Sequence, residues 1–185
     1  MQTAHELFLH ELGDMLDAER KLVEALGKQA EESTRPELKK AFESHREQTE
    51  NQVQRLQQAF ESVEAEPEES ECKGIKGLIE EHDSFKEEDP SEDIMDVFNV
   101  GAAIKIEGYE ISAYEGLIQL AQEMGHRKAA QLLNQNLKEE QQTARKMELF
   151  SKKIRPENMG MEEEEKEQAE RPRAPASSSR RRRAA

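Results

Sequence analysis

The stretch KIEGYEISAYEGLIQLA, residues 105–121, places carboxylates inside a pattern that otherwise forms the apolar face of a helix. At about 100° per residue, Glu107 lies on the apolar stripe, whereas Glu110 and Tyr114 lie towards its edge. A buried carboxylate without a partner is costly because its charge leaves water. These positions therefore require a cation, a proton or a path to solvent.

Two other predicted helices carry a carboxylate in the same setting. Glu19 occupies the middle of the stripe of the first helix, and Glu140 occupies the centre of the stripe of the last. Glu19 precedes the turn near Thr34 by 15 residues, and Glu110 and Glu140 are each 15 residues from the turn near Gly125. The matched depths predict that these carboxylates meet at one level of a helix bundle. There they would form a cage for a cation such as iron, manganese or zinc.

A second interpretation of each acid stays open at this stage. A single glutamate in an apolar stripe is more often at the edge of the stripe, with its carboxylate reaching solvent. The acid runs at residues 31–32, 80–81, 87–88 and 162–165 are interpreted as solvated surface. Only the agreement in direction and depth favours a cluster of Glu19, Glu107 and Glu140.

The remaining sequence predicts an all-α protein, because alternating strand patterns are nearly absent. Capping boxes at Thr3–Glu6, Thr34–Glu37 and Asp89–Glu92 predict the starts of three long helices. A short helix is predicted over residues 73–86, the next long helix over 91–124 and the last over 126–153. This order predicts a four-helix bundle with the short helix in the crossover connection.

Charge divides the chain into a bundle domain, residues 1–155, and a tail, residues 156–185. The whole chain carries a net charge of −14, and its last fifteen residues carry six arginines and no acid, so the preceding part carries −20. The tail, an acid run followed by Pro, Ala, Ser and Arg, is predicted to be disordered. Arg180–Arg183 would give it weak, non-specific binding to polyanions.

Several classes of protein are disfavoured. The chain has no stretch of about 18 apolar residues, so no membrane span is predicted. The first residues do not have the pattern of a secretory signal. Cys72 is the single cysteine, which favours a cytoplasmic protein and a free structural thiol. The chain has no glycine-rich phosphate loop and no Gly-x-Ser-x-Gly motif, so nucleotide-binding and hydrolase functions find no support.

The sequence resembles the YciE/YciF-type stress-protein family, a branch of the ferritin-like and rubrerythrin-like bundles. The resemblance runs over most of residues 5–153. It rests on the order and spacing of five segments: LDAERKLVEAL, ELKKAFESHREQTENQVQRL, GLIEEH, KIEGYEISAYEGLIQLA and AAQLLNQNLKEEQQTARKM. It implies a ferritin-like four-helix bundle, a homodimer, a link to stress response and a dinuclear metal centre of the ferroxidase type.

The resemblance also implies a ligand set. A ferritin-like centre takes Glu on the first helix, Glu-x-x-His on the second and last, and Glu or Glu-x-x-Glu on the third long helix. The metal ligands carried over to this sequence are Glu19, Gln52, Glu107, Glu110 and Glu140. Glu107 and Glu140 are the predicted catalytic carboxylates of an iron-oxidising centre.

The second and the last helix depart from this pattern. Gln52 stands where a carboxylate is expected, and Arg55 and Thr143 stand where the two histidines are expected. His45 lies on the inward face two turns from Gln52, as a substitute ligand or an ordinary hydrogen-bonded core residue. Glu50 has the right depth but points off the stripe, and Glu47 points outward.

Three functional hypotheses follow. The first is a cytoplasmic, ferritin-like stress protein that binds iron or another divalent metal, oxidises iron or protects against oxidants, and uses Tyr114 as a hydrogen-bond donor or radical sink. The second is a non-catalytic dimeric scaffold in which Arg55 or Lys105 replaces the metal. The third is an interaction protein that contacts polyanions through Arg180–Arg183.

Overall fold

The computed structural model describes residues 1–67 and 70–154, and these form five α-helices with no strand among them. The helices are α1 (Ala4–Glu32), α2 (Pro36–Glu61), α3 (Lys73–Lys86), α4 (Glu92–Glu123) and α5 (Arg127–Lys153). The predicted all-α bundle, with a short helix in the long connection, is confirmed. The predicted tail and the cluster Arg180–Arg183 lie outside the described residues.

The four long helices form two antiparallel pairs that pack against each other. α1 pairs with α2 and α4 with α5, while α1 also packs on α4 and α2 on α5. His5, at the start of α1, contacts His126 in the α4–α5 turn, so α1 begins where α4 ends. α1 and α4 therefore run antiparallel, and the turns near Thr34 and Gly125 lie at opposite ends of the bundle.

Local signals explain several helix ends. Thr3 accepts a hydrogen bond from the backbone of Glu6, and the Glu6 carboxylate accepts one from the backbone of Thr3, which completes the predicted capping box of α1. Pro36 stands in the first turn of α2, where its missing N–H has no intrahelical partner to lose. Gly125 adopts φ +75° after α4, the left-handed conformation that glycine allows without strain.

Two predicted caps are wrong. Thr34 does not cap α2, because its backbone N–H and hydroxyl both donate to Asp96 at the start of α4, 3.1 and 2.8 Å away. Asp89 does not cap α4: it adopts φ +53° in the preceding turn, and Ser91 occupies the cap position. The spacing of residues predicted capping boxes at the starts of α2 and α4. The contacts of Thr34 with Asp96 and the conformation of the turn at Asp89 determine these helix starts instead.

The short helix α3 covers the side of the bundle formed by α1 and α4. Cys72, directly before it, is buried and its backbone N–H donates to Asp17 at 2.7 Å. The Tyr109 hydroxyl lies 3.2 Å from the Cys72 sulfur. A Cβ at Gly74 would lie 2.5 Å from the Tyr109 ring, so only glycine lets α3 approach α4 this closely.

Among the described residues, no helix is long and apolar enough to cross a membrane.

Candidate metal centre

Four glutamates from three helices are buried in the middle of the bundle. Glu19 on α1, Glu107 on α4 and Glu140 on α5 are each 0% exposed, and Glu110 on α4 is 1% exposed. Glu110 is thus fully buried and not at the edge of the helix face, where the sequence pattern put it. The open question for each acid is answered the same way: none of the four carboxylates reaches solvent.

His45 on α2 brings an imidazole to two of these carboxylates. Its Nε2 lies 3.5 Å from Glu107 Oε1 and 3.6 Å from Glu140 Oε2. One ligand atom from each of the three residues falls within 4.8 Å of the others, and all three side chains are buried. His45 is therefore the histidine nearest to the carboxylates, although it stands seven residues before Gln52 rather than three after it.

Neutral side chains satisfy part of the cluster. Gln52 donates from Nε2 to Glu140 Oε1, and the Tyr114 hydroxyl donates to Glu19 Oε1. Asn136, one turn before Glu140 on α5, donates to the Tyr114 oxygen at 2.9 Å. These contacts hold one oxygen each of Glu19 and Glu140, and they fix the orientation of both side chains.

The other carboxylate oxygens have no hydrogen-bond donor among the described residues. Both oxygens of Glu107 and of Glu110 lack one, as do Oε2 of Glu19 and Oε2 of Glu140. Most buried polar atoms in proteins are hydrogen-bonded, so this many exceptions in one place require a physical explanation. A positive species that binds oxygen lone pairs, either a proton or a metal ion, would supply it.

Burial and mutual repulsion change the protonation of the acids. Burial, followed by the charge of Glu140, raises the pKa of Glu19 and of Glu107 well above the usual value. Burial, followed by the charges of Glu19 and Glu140, does the same to the pKa of Glu110. Without a cation the folded protein therefore retains protons on these acids, which a metal ion would displace.

The cations predicted to replace a metal bind other partners. Arg55 pairs with Glu139 through Nη1 at 2.9 Å and through Nη2, and its charge lowers the pKa of Glu19 by less than burial raises it. Lys105 lies on the surface and binds Glu81 of α3 at 2.7 Å. Neither side chain donates to the four buried glutamates.

The remaining substitutes stand outside the cluster. Glu50 is exposed and lies 3.6 Å from Arg46, and Glu47 is exposed as predicted. Thr143 is buried beside His45 but makes no side-chain hydrogen bond to the acids. The sequence pattern predicted that His45 faces inward but not which residues it contacts. His45 stands seven residues, or two turns of helix, before Gln52. Only the length of its side chain brings Nε2 near Glu107 and Glu140.

The donor set fits a transition-metal ion. Carboxylate oxygens with one imidazole nitrogen suit iron, manganese and zinc. Six buried carboxylate oxygens without a donor among the described residues exceed what one ordinary hydrogen-bond network would leave. Glu107 and Glu140 with His45 form the tightest group, and the charges of Glu19 and Glu140 contribute to the raised pKa of Glu110. Gln52 is the weakest metal ligand of the predicted set, because its amide is neutral and its nitrogen already donates a hydrogen bond to Glu140.

Comparison with known proteins places the chain in a family. Residues 3–159 match the family described as a domain of unknown function, DUF892. Protein YciF of Escherichia coli is 38% identical over 144 residues, which cover 77% of this chain and 87% of YciF.

Solved structures of two related proteins have the same fold as this chain. The crystal structure of the Escherichia coli stress protein YciF has a TM-score of 0.80 at 35% identity and covers 83% of this chain and 98% of its own. YcfI of Rhodopseudomonas palustris, provisionally described as a structural protein, has a TM-score of 0.77 at 36% identity and covers 80% and 94%. The chain is similar to YciF over most of its length, and it therefore belongs to the DUF892 family of ferritin-like helical bundles.

Proposed function

We propose that this protein is a cytoplasmic, ferritin-like stress protein whose buried carboxylates bind one or two divalent transition-metal ions. Glu107, Glu140 and His45 hold the first ion, and Glu19 and Glu110 complete the site. The similarity to a stress protein supports the stress role. The observation that carries the proposal is the set of buried carboxylate oxygens that have no donor among the described residues.

The chemistry follows from the ligands. Bound iron would supply one electron per ferrous ion, so that two ions reduce one hydrogen peroxide to two waters with the uptake of two protons. Glu107 and Glu140 would bind the metal through their carboxylate oxygens and neutralise its charge. Tyr114, held by Asn136, keeps Glu19 oriented through its hydroxyl, whose pKa is raised by burial and by the charge of Glu19. The apolar residues around the site exclude bulk water.

Metal analysis tests this proposal. Purified protein is loaded with ferrous iron without oxygen, desalted and analysed, and melting is compared with and without a chelator. We expect at least one equivalent of metal and a melting temperature that falls when the metal is removed, because an ion that binds only the folded state stabilises it.

Two adjacent glutamates provide a matched pair of variants. Glu140→Gln removes a carboxylate from the cluster, whereas Glu139→Gln removes the neighbouring carboxylate that pairs with Arg55. We expect the first variant to lose metal and the second to retain it. Less than a tenth of an equivalent in the unaltered protein, or equal metal content in both variants, contradicts the proposal.

A metal-free role as a structural protein is the second candidate, supported by the provisional description of YcfI. In that case the raised pKa values would keep Glu107 and Glu110 protonated and neutral in the folded core. Melting that is unaffected by chelators would favour this role. Lys105 and Arg55, bound to Glu81 and Glu139, are not its counter-ions.

The proposal includes a homodimer formed through the outer face of α4. Gly101 and Gly108 are exposed there with open space above them, and Ile94 is 41% exposed on the same stripe. Small residues let a second helix approach closely, and the exposed isoleucine adds apolar area. Light scattering tests this: Gly108→Glu should yield a monomer, whereas the equally exposed Gly77→Glu on α3 should leave the dimer intact.

A further inference from the structure

A cleft between α2 and α5 leads to the buried carboxylates. It has a volume of about 170 Å³. Ser44, Gln142 and Lys146 are exposed at its mouth, and Thr143 and His45 are buried at its floor. The space exceeds that of a single water, whose share of liquid volume is about 30 Å³.

The His45 ring separates this cleft from the acids. His45 lines the cleft, and its Nε2 lies 3.5 Å from Glu107 and 3.6 Å from Glu140. The side chain is 4% exposed, and its other nitrogen, Nδ1, has no partner among the described residues. His45 therefore belongs both to the floor of the cleft and to the group of side chains around the carboxylates.

The walls of the cleft are suited to uncharged molecules that form hydrogen bonds. They present the hydroxyls of Ser44 and Thr143 and the amides of Gln48 and Gln142, and the Nε2 of Gln48 is buried without a partner. The one charged side chain in the lining is Lys146, which repels a metal cation. An entry path for cations would instead present carboxylates.

We propose that the α2–α5 cleft is the port through which small uncharged hydrogen-bonding molecules, of the size of hydrogen peroxide, reach the carboxylate cluster, with His45 at its inner end. Cations enter by a different path. The proposal adds to the proposed function the class of molecule that reaches the metal and the residues that admit it. The port itself is a property of the metal-free fold, so it is testable without metal.

Rescue by imidazole tests the port in the metal-free protein. His45→Gly removes the ring and joins the cleft to the cluster, and added imidazole, uncharged at about pH 8, has the size of the missing group. We expect imidazole to raise the melting temperature of His45→Gly and not that of the unaltered protein. The combined variant with Ser44→Trp, which fills the mouth, should lose this rescue, whereas the combination with Ser84→Trp on the surface of α3 should retain it.

The outcomes separate the two proposals. Equal rescue with Ser44→Trp and Ser84→Trp, or no rescue of a folded His45→Gly protein, overturns the port, whatever the metal result. Absence of metal in the unaltered protein overturns the proposed function and leaves the imidazole result decisive for the port.

Metal-loaded protein provides the second measurement, which does not depend on the folding of His45→Gly. At equal iron content, Ser44→Trp should slow oxidation by hydrogen peroxide at least tenfold relative to Ser84→Trp, while the rate of iron uptake is the same in the two variants. Equal oxidation rates overturn the port. Iron uptake slowed as much as oxidation overturns its restriction to uncharged molecules.

Discussion

Two groups of buried carboxylates in this bundle are treated in opposite ways. At the end of the bundle, Asp96 is 0% exposed and accepts from Thr34 and Arg35, including the Arg35 guanidinium at 2.7 Å. In the middle, Glu107 and Glu110 are just as buried, yet neither oxygen of either has a donor among the described residues. The contrast distinguishes an acid whose charge is neutralised by neighbouring side chains from acids that need a proton or a metal ion.

Among single substitutions, the largest effect is expected from removing Asp96, the acid that the fold neutralises. Asp96→Ala would leave the hydroxyl and backbone N–H of Thr34 and the Arg35 guanidinium without their acceptor. We expect the free energy of unfolding to fall by about 3 kcal/mol. Urea unfolding of the metal-free protein measures this loss. A loss below about 1 kcal/mol would mean that solvent replaces these contacts.

The second effect is the pH dependence of the metal-free protein. The pKa values of Glu19, Glu107 and Glu110 are raised by burial, so the folded state holds protons that the unfolded state releases. Their stabilising contribution is complete below the ordinary glutamate pKa of about 4.3. It is lost as the pH rises from that value to the raised folded-state values, at about 1.4 kcal/mol per pH unit for each such group.

Urea unfolding of chelator-treated protein at several pH values measures this slope. The double variant Glu107→Gln and Glu110→Gln removes two of the groups and should show a shallower fall in stability with rising pH. An equal slope in the variant and the unaltered protein would assign the pH dependence to residues outside the cluster.

A smaller effect is expected for Tyr114→Phe. The substitution removes the hydroxyl that donates to Glu19 and accepts from Asn136. We expect a loss of about 1–2 kcal/mol in the free energy of unfolding. Tyr109→Phe is the matched control, because that hydroxyl contacts Cys72 and Asp14 and not the cluster. Equal metal affinity in Tyr114→Phe and the control would show that orienting Glu19 does not matter for binding.

The smallest effect is expected for Lys105→Gln. Lys105 and Glu81 are each half exposed, so their ion pair is screened by water. We expect a change below about 0.5 kcal/mol in stability and no change in metal content. A loss of metal or of several kcal/mol would restore Lys105 as a partner of the buried acids.

Helical periodicity was sufficient to predict much of this molecule. The directions of Glu19, Glu107 and Glu140 follow from about 100° per residue. Their common depth follows because each lies near the middle of its helix, so the count to a turn gives the same level although the two turns lie at opposite ends of the bundle. The predicted ends of α3 and the left-handed Gly125 follow from equally local signals. These features depend on backbone geometry and on the burial of one helix face, both of which are written in short stretches of sequence.

Features that depend on side chains from different helices could not be predicted. Asp96 was not identified, because the Thr34 and Arg35 groups that bind it belong to a turn some sixty residues earlier. Arg55 was a candidate counter-ion for the cluster, but Glu139 on α5 is nearer to it. His45 was left as either a substitute ligand or an ordinary core residue, because spacing alone could not show that its side chain reaches Glu107 from two turns away.

The bonds between Asp96 and the α1–α2 turn join one helical hairpin to the other at a fixed height. A displacement by one turn, about 5.4 Å, would carry Glu19 past Glu110 and break those bonds. Alignment is thus determined at the end of the bundle and does not depend on the length of the connection before α3. Two separately expressed halves, divided within that connection, would reassemble with their glutamates level, and Asp96→Ala would allow them to slide.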